Sequence, residues 1–250
     1  LHSTSRRQRQ MCIRDRSWVV PILIFPVFGT LFYLFLTLQP GTRRINRRIE
    51  EVGTKLRPYL LQDPEVLAHY ESISASGGNL VRYMNQYGRF PAYENTGVRY
   101  FPLGDDMFPV LLEELKKAEH FIFMEYFIVE HGVMWDAILQ VLETKAAEGV
   151  EVRFMYDGMG NLFTLPHGYE KAMQEKGIQC KIFAPVRPAL SSYQNNRDHR
   201  KICVIDGHTA FTGGVNLADE YINQRVRFGH WKDTVSYTHL RAHETELHLV

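Results

Sequence analysis

Residues 199–206 are His-Arg-Lys-Ile-Cys-Val-Ile-Asp (HRKICVID), an H-x-K-x-x-x-x-D pattern, and Gly207 follows them. The apolar run and the Asp-Gly pair predict a strand over Lys201–Asp206 that forms a hairpin with a second strand over Thr209–Thr212. Because side chains alternate along a strand, His199 and Lys201 fall on the same side. The pattern therefore predicts an imidazole and an ammonium that face one ligand at the start of a strand.

Further donor groups follow the predicted hairpin. Gly213-Gly214-Val215-Asn216 comes directly after the second strand, and glycines there allow backbone N–H groups to approach a ligand closely. Asn216 adds a side-chain amide that can donate. Imidazole, ammonium, amide and backbone donors together suit a phosphodiester.

Upstream of the hairpin, predicted strands alternate with predicted helices. The strands cover 121–129, 150–156 and 179–183, one helix ends at Lys117, and the others cover 135–147 and 167–176. This alternation is typical of an α/β layered domain. Glu125, in the first strand, needs a buried partner, and either supports the site or forms a pair in the core. Asp157, at the end of the next strand, is interpreted as a turn residue.

Composition excludes several classes of protein. The 250 residues are 45% hydrophobic, 23% charged and 12% aromatic, which excludes a disordered or fibrous chain. A net charge of +1 argues against nucleic-acid binding through bulk positive charge. The three cysteines form neither a disulfide framework nor a metal-ligand spacing. Cys180 and Cys203 are predicted to be buried thiols in a reducing compartment.

Both ends of the chain resemble translated sequencing adapter. Residues 6–15 back-translate to the adapter and mosaic end of transposon-based libraries, and residues 235–245 back-translate to the complementary mosaic end and the opposite adapter. We therefore expect residues 1–16 and 235–250 to be adapter-derived, not native, and to form no part of a packed core. The natural protein is expected to extend beyond both ends of residues 17–234.

An apolar run precedes the α/β region. Trp18–Leu38 is almost wholly apolar, and about 20 residues span a hydrocarbon core of about 30 Å, so residues 17–42 are predicted to be a transmembrane helix. Four arginines follow: Arg43, Arg44, Arg47 and Arg48. By the positive-inside bias they place the downstream chain in the cytoplasm. Residues 43–100 are predicted to be a membrane-proximal connector with a loop at 74–79, and residues 101–234 a catalytic half-domain.

At this point the chain resembles the phospholipase D superfamily, and within it the bacterial cardiolipin synthases. The resemblance rests on the H-x-K-x4-D pattern with its downstream Gly-Gly-Val-Asn, and on shorter segments throughout 17–234: Phe101–Asp105, Met124–Phe127, Gly149–Arg153, Asn196–Lys201 and His230–Asp233. Members of the family carry two such motifs, one in each half, and usually two N-terminal membrane helices. This chain resembles the first half, with a phospholipase-D-like α/β/α layered domain.

The resemblance also implies roles for the site residues. His199 would be the nucleophile or its general-acid partner, and Lys201 and Asn216 would bind the non-bridging phosphate oxygens, with any contact at Gly213 and Gly214 made by backbone N–H groups. Asp233 would hydrogen-bond the other nitrogen of the histidine and fix its tautomer. The remaining candidates are Asp206, the third residue of the motif, interpreted as steadying the hairpin, and Glu125 as a supporting residue. No metal and no cofactor are implied.

The activity implied is phosphatidyl transfer between two phosphatidylglycerol molecules, giving cardiolipin and glycerol at the cell membrane. Two alternatives stay open: a hydrolytic phospholipase D, phosphodiesterase or nuclease, and a membrane-tethered scaffold without catalysis. The expected partners are phosphatidylglycerol and membrane lipid, together with a C-terminal half that carries the second motif or a second copy in a homodimer. Nucleic acid is not expected as a partner.

Overall fold

The computed structural model describes residues 19–38, 40–94, 96–186, 197–227 and 229–240. The chain divides into two compact units. The N-terminal unit comprises the described residues up to Leu61, and the C-terminal unit comprises the described residues from Gln62 onward.

The N-terminal unit is helical. Helix α1 is Pro26–Leu38, helix α2 is Pro40–Leu56, and a 3-10 turn follows at Arg57–Tyr59. Residues 19–24 are also helical, and the helix is interrupted at Phe25 because a proline disfavours helical backbone in the residue before it. The helix predicted over residues 17–42 is thus not continuous. Among the described residues, none of the helices combines the length and apolar composition needed to cross a bilayer.

Two helices open the C-terminal unit. Helix α3 is Pro64–Ile73, helix α4 is Ala75–Tyr83, and a π-helical turn follows at Met84–Gly88. The hydroxyl of Ser74 accepts a hydrogen bond from the backbone N–H of Gly77 at 3.3 Å and caps α4. The loop predicted over residues 74–79 is wrong because this cap begins a helix that includes the glycines.

Seven strands form one mixed sheet in the order β1-β7-β6-β5-β2-β3-β4. The strands are β1 Thr96–Phe101, β2 Phe121–Tyr126, β3 Glu151–Asp157, β4 Gln179–Phe183, β5 Ile202–Ile205, β6 Thr209–Gly213 and β7 Val235–Leu240. Strands β2, β3 and β4 are parallel, and the other neighbours are antiparallel. The connecting helices are α5 Gly104–Lys116, α6 Val133–Ala147 and α7 Tyr169–Glu175. The mixed α/β class is confirmed.

The core lies between helices α5–α7 and one face of the sheet. Alternate residues of β2 are buried, as expected for a strand with one face covered. Trp135 of α6 is fully buried, stacks on Phe154 at 4.9 Å between ring centroids, and donates its indole N–H to the Tyr169 hydroxyl at 2.7 Å. Cys180 and Cys203 lie in this core and are confirmed as buried, and burial raises the pKa of Cys180 to about 12.

The opposite face of the sheet lines an open cavity of about 720 Å³. Both apolar and charged side chains line it: Phe123, Met155, Ile202 and Val204, together with Glu125, Arg153 and Lys181. The helices that pack on the sheet cover the other face. Within the part of the chain that the structure describes, the predicted α/β/α layering is therefore present on one face only.

Two strands at one side of the sheet depart from the sequence predictions. Strand β1 lies inside the predicted connector, and β7 lies inside the tail expected to stay out of the core. Strand β7 pairs with β1 and β6, and Val235 is buried. Its sequence Val-Ser-Tyr-Thr-His-Leu alternates in polarity and favours strands, and β6 offers it unpaired backbone groups. The expectation is therefore wrong for residues 235–240, while residues 1–16 and 241–250 lie outside the described residues.

The adapter origin of the two tails stays a prediction. Tandem mass spectrometry of the protein purified from its source organism should detect tryptic peptides from within residues 17–234 and none that spans Arg16–Ser17 or Thr234–Val235. Peptides from the interior serve as the control for coverage. One sequenced peptide across either junction would overturn the adapter assignment.

Candidate active site

The candidate site begins in the segment that leads into β5. His199 is exposed, whereas Lys201 is 5% exposed, two residues further along the chain. The Lys201 ammonium donates a hydrogen bond to the backbone oxygen of His199 at 2.6 Å. This bond couples the two motif residues directly, because it joins the side chain of one to the main chain of the other.

Phe127 lies directly after β2 and contacts both motif residues. Its ring centroid is 4.7 Å from that of the His199 imidazole, and the Lys201 Nζ lies 5.2 Å from the same centroid. The second distance is within the range of a cation–π interaction. His199 and Lys201 therefore both contact one aromatic ring, while the ligand that they are predicted to face stays a prediction. Sequence analysis assigned Phe127 no role in the site, although it lies in the predicted strand 121–129 and in the family-like segment Met124–Phe127.

The charge on Lys201 is balanced by nearby carboxylates. Burial lowers the pKa of Lys201, and the charges of Asp233 and Asp198 counteract part of that effect. No hydrogen bond joins Asp233 to His199 among the described residues; its Oδ1 instead accepts from the backbone N–H of Thr234 at 2.8 Å. The predicted bond that would fix the histidine tautomer is therefore not made among these residues.

The two glycines after β6 are required by close packing. A Cβ at Gly213 would overlap the backbone oxygen of Thr234, and a Cβ at Gly214 would overlap the carboxylate of Asp233. The N–H of Gly214 also donates to the Thr234 oxygen at 3.1 Å. The prediction that the Gly214 N–H is available to a phosphate is therefore wrong, since a neighbouring strand segment already uses it.

Asn216 holds the chain that follows β2. It is 3% exposed, and its Oδ1 accepts from the backbone N–H of Ile128 at 2.9 Å. A side-chain hydrogen bond from Asn216 to Tyr221 lowers the pKa of that phenol, against the larger raising effect of burial. The amide oxygen of Asn216 thus holds the backbone that follows Phe127. The phosphate contact of its NH₂ group stays a prediction.

Asp206 lies at the far end of β5 from His199. Its carboxylate accepts from the backbone N–H groups of Glu119, His120 and Phe121 at 2.7 to 2.8 Å. Burial raises the pKa of Asp206, but these bonds outweigh it and the pKa is lowered.

Asp206 and Gly207 have φ angles of +50° and +73°, as a tight hairpin turn requires. The structure does not bring Asp206 together with His199 and Lys201.

Glu125 pairs with the two residues that flank His199. The Nε of Arg200 lies 2.7 Å from Glu125 Oε1 and 3.0 Å from Asp198 Oδ1. Burial, with the adjacent Asp198 carboxylate, raises the pKa of Glu125 to about 7, while Arg200 acts in the opposite direction. The ion-pair partner of Glu125 is therefore not buried as the sequence predicts: the Arg200 side chain is 65% exposed.

The arrangement suits chemistry on an anionic group. An exposed imidazole can attack or donate a proton, and a buried ammonium beside it supplies fixed positive charge. Among the described residues, no group of three or more His, Cys, Asp or Glu side chains could hold a metal ion.

Comparison with known proteins places this site in a family context. The sequence profile described as "Cardiolipin synthase, PLD-like domain" matches residues 111–226. A Streptococcus mutans protein of unassigned function is 48% identical over 218 residues, which are 87% of this chain and 47% of that protein. A cardiolipin synthase of Alkalihalophilus pseudofirmus is 34% identical over 233 residues, 92% of this chain and 46% of that protein. The chain thus spans about half the length of these relatives.

Solved structures with a similar arrangement are more distant in sequence. NucT from Helicobacter pylori is 15% identical, with a TM-score of 0.43 over 58% of this chain and 86% of that chain. Nuc from Salmonella typhimurium, a phospholipase D family member, is 20% identical, with a TM-score of 0.40 over 58% of this chain and 83% of that chain.

Proposed function

The chain belongs to the phospholipase D superfamily, in the family of cardiolipin-synthase PLD-like domains, and on this premise we propose that the natural protein is a phosphatidyltransferase. It moves a phosphatidyl group from one phosphatidylglycerol to another and releases glycerol. The observation that carries the proposal is the exposed His199 imidazole beside the buried Lys201 ammonium, with both on the Phe127 ring.

The reaction proceeds in two steps with a phosphohistidine between them. A lone pair of one imidazole nitrogen forms an N–P bond while the P–O bond to the glycerol headgroup breaks, and a second imidazole gives its proton to the departing alkoxide. In the return step that imidazole takes the proton from a hydroxyl of the second phosphatidylglycerol, whose oxygen attacks phosphorus as the N–P bond breaks. His199 is one of the two imidazoles.

The remaining site residues support this pair. The Lys201 ammonium has three donor hydrogens, of which the bond to His199 uses one, and its charge stabilises the phosphate oxygens as negative charge develops on them. Asn216 holds the segment after β2 in place, the two glycines allow Asp233 to approach Lys201, and Asp206 holds the hairpin. None of these steps requires a metal ion or a cofactor.

The second imidazole comes from another part of the natural protein or from a second copy of this chain. The complete H-x-K-x4-D pattern occurs once in this sequence, and a single histidine cannot stand on both sides of one phosphorus. The apolar sequence of Trp18–Leu38 and the arginines after it support attachment to the cytoplasmic face of the cell membrane, where anionic lipid is the substrate.

Product analysis tests the transferase proposal. Natural full-length protein incubated with phosphatidylglycerol should form cardiolipin and glycerol in equal amounts, and the rate should be the same with and without EDTA. A control with the lipid alone measures background. Phosphatidic acid as the main product would assign hydrolysis instead, and no product of either kind would favour the scaffold. Loss of activity in EDTA with recovery on adding a divalent ion would contradict the metal-free mechanism.

A further inference from the structure

A turn whose first and last side chains are buried follows β3 and makes its own internal hydrogen bonds. It runs from Asp157 to Asn161 (DGMGN), and these two side chains are 0% and 4% exposed. The Asp157 Oδ1 accepts from the backbone N–H groups of Met159 and Gly160 at 2.8 and 2.9 Å. These bonds alone would make it an ordinary turn, which is how the sequence was interpreted.

The same turn also holds the segment before His199. The second carboxyl oxygen of Asp157, Oδ2, accepts from the backbone N–H of Asp198 at 3.2 Å, across 41 residues of sequence. Arg197 lies 3.5 Å from Asp157 Oδ1 and donates to the backbone oxygen of Ala184 at 2.8 Å. The segment immediately before His199 is therefore held by the buried Asp157 carboxyl group at the end of β3.

At its other end the turn holds the backbone of Phe127. The Asn161 amide donates to the backbone oxygens of Phe127 and Asp157 at 2.7 and 2.8 Å, and its Oδ1 accepts from the Val129 N–H at 2.6 Å. Gly160 is part of this contact, since a Cβ there would overlap the Phe127 oxygen. The turn thus holds both the main chain that leads to His199 and the backbone of Phe127, whose ring His199 and Lys201 contact.

We propose that the Asp157–Asn161 turn is the positioning element of the active site, with Asp157 and Asn161 as positioning residues that set the placement of the His199 imidazole without touching substrate. The inference rests on the proposed function for its catalytic consequence. Its geometric basis is independent of the substrate, because the hydrogen bonds join protein groups only. A shift of about 1 Å in a reacting group can cost about 100-fold in rate.

Asp157→Asn is the sharpest test in the natural full-length protein. The amide keeps the shape and one acceptor oxygen, which can continue to serve the turn, but its NH₂ group cannot accept from the Asp198 N–H. We expect kcat for phosphatidyl transfer to fall about 100-fold with KM within about twofold. In NMR spectra, the His199 ring resonances should lose the shift caused by the nearby Phe127 ring.

Asp219→Asn is the matched control. The Asp219 carboxylate also accepts from backbone N–H groups remote in sequence, those of Val133 and Met134 at 3.0 and 2.9 Å, where it begins helix α6. This variant should lose stability in thermal unfolding but keep kcat and the His199 resonances. A merely structural role for Asp157 predicts the same behaviour for both variants.

Three outcomes decide the inference. A kcat for Asp157→Asn within about threefold of the parent, with unchanged His199 resonances, overturns it. If Asp157→Asn does not fold, Gly160→Ala displaces the Phe127 backbone instead and should give the same loss of kcat; full activity of that variant overturns the inference. If the parent transfers no phosphatidyl group, the proposed function fails, while the His199 resonances still test the positioning.

Discussion

Phosphatidyl transfer by the natural full-length protein should fall about 1,000-fold or more when His199 is replaced by alanine. The substitution removes the imidazole that forms the bond to phosphorus or carries the proton in the proposed mechanism. Because His199 is exposed, the variant should unfold at the parent temperature. The measurement is the initial rate of cardiolipin formation, with thermal unfolding of the same sample.

His167→Ala provides the matched control, since His167 is another exposed histidine, in the loop before α7. It should retain parent activity. Lys201→Met keeps the volume of the buried stem and removes the charge, so it should lose about 100- to 1,000-fold in kcat. Parent-level activity in the His199→Ala variant would remove His199 from the mechanism, and parent-level activity in Lys201→Met would remove the electrostatic role of the ammonium.

This chain by itself should form no cardiolipin as a monomer. Attack by one imidazole leaves an alkoxide that needs a proton from the opposite side of phosphorus, and the chain carries the motif once. The open sheet face and its cavity of about 720 Å³ also expose apolar side chains, which favour self-association. The measurement is an assay with labelled phosphatidylglycerol in detergent, with light scattering to give the mass of each eluted species.

A homodimer that brings two copies of His199 together is the exception that the mechanism allows. Mixing parent chains with His199→Ala chains distinguishes an active homodimer from an active monomer. Each mixed dimer has a single His199 imidazole and should be inactive. Activity per parent chain should then fall as the variant is added. Cardiolipin formed by a strictly monomeric species would contradict the requirement for two histidines.

Much of the fold could be predicted from local sequence. The hairpin at Asp206-Gly207 follows from the turn residues, and strand β4 has the bounds that its sequence predicts. The helices α5 and α6 agree with their predicted positions within a few residues, because their apolar spacing is sampled over several turns. Strands β1 and β7 were not predicted in the sheet, because residues 43–100 were assigned to a connector and residues 235–250 to adapter.

The site was predicted less completely, for a related reason. A glycine that binds phosphate and a glycine that accommodates a carboxylate have the same sequence signature, so only the packed structure distinguishes the two roles of Gly214. The contact of the Asn216 amide oxygen with a backbone N–H 88 residues away likewise appears only in the packed structure. Phe127 and Asp157 carry no chemical motif, and their importance emerges only when the segments around His199 are brought together.

By itself, the sequence determined the α/β class and supplied the candidate site residues, because these depend on alternation and turn chemistry within about ten residues. The tertiary structure decided the order of the strands, the contact of His199 and Lys201 with the Phe127 ring, and the turn after β3 that holds the backbone of Phe127 and of Asp198. Those features depend on hydrogen bonds such as Asp157 to Asp198 and Asn161 to Phe127. Such bonds form only after the sheet brings distant residues within about 3 Å, and no local pattern encodes that approach.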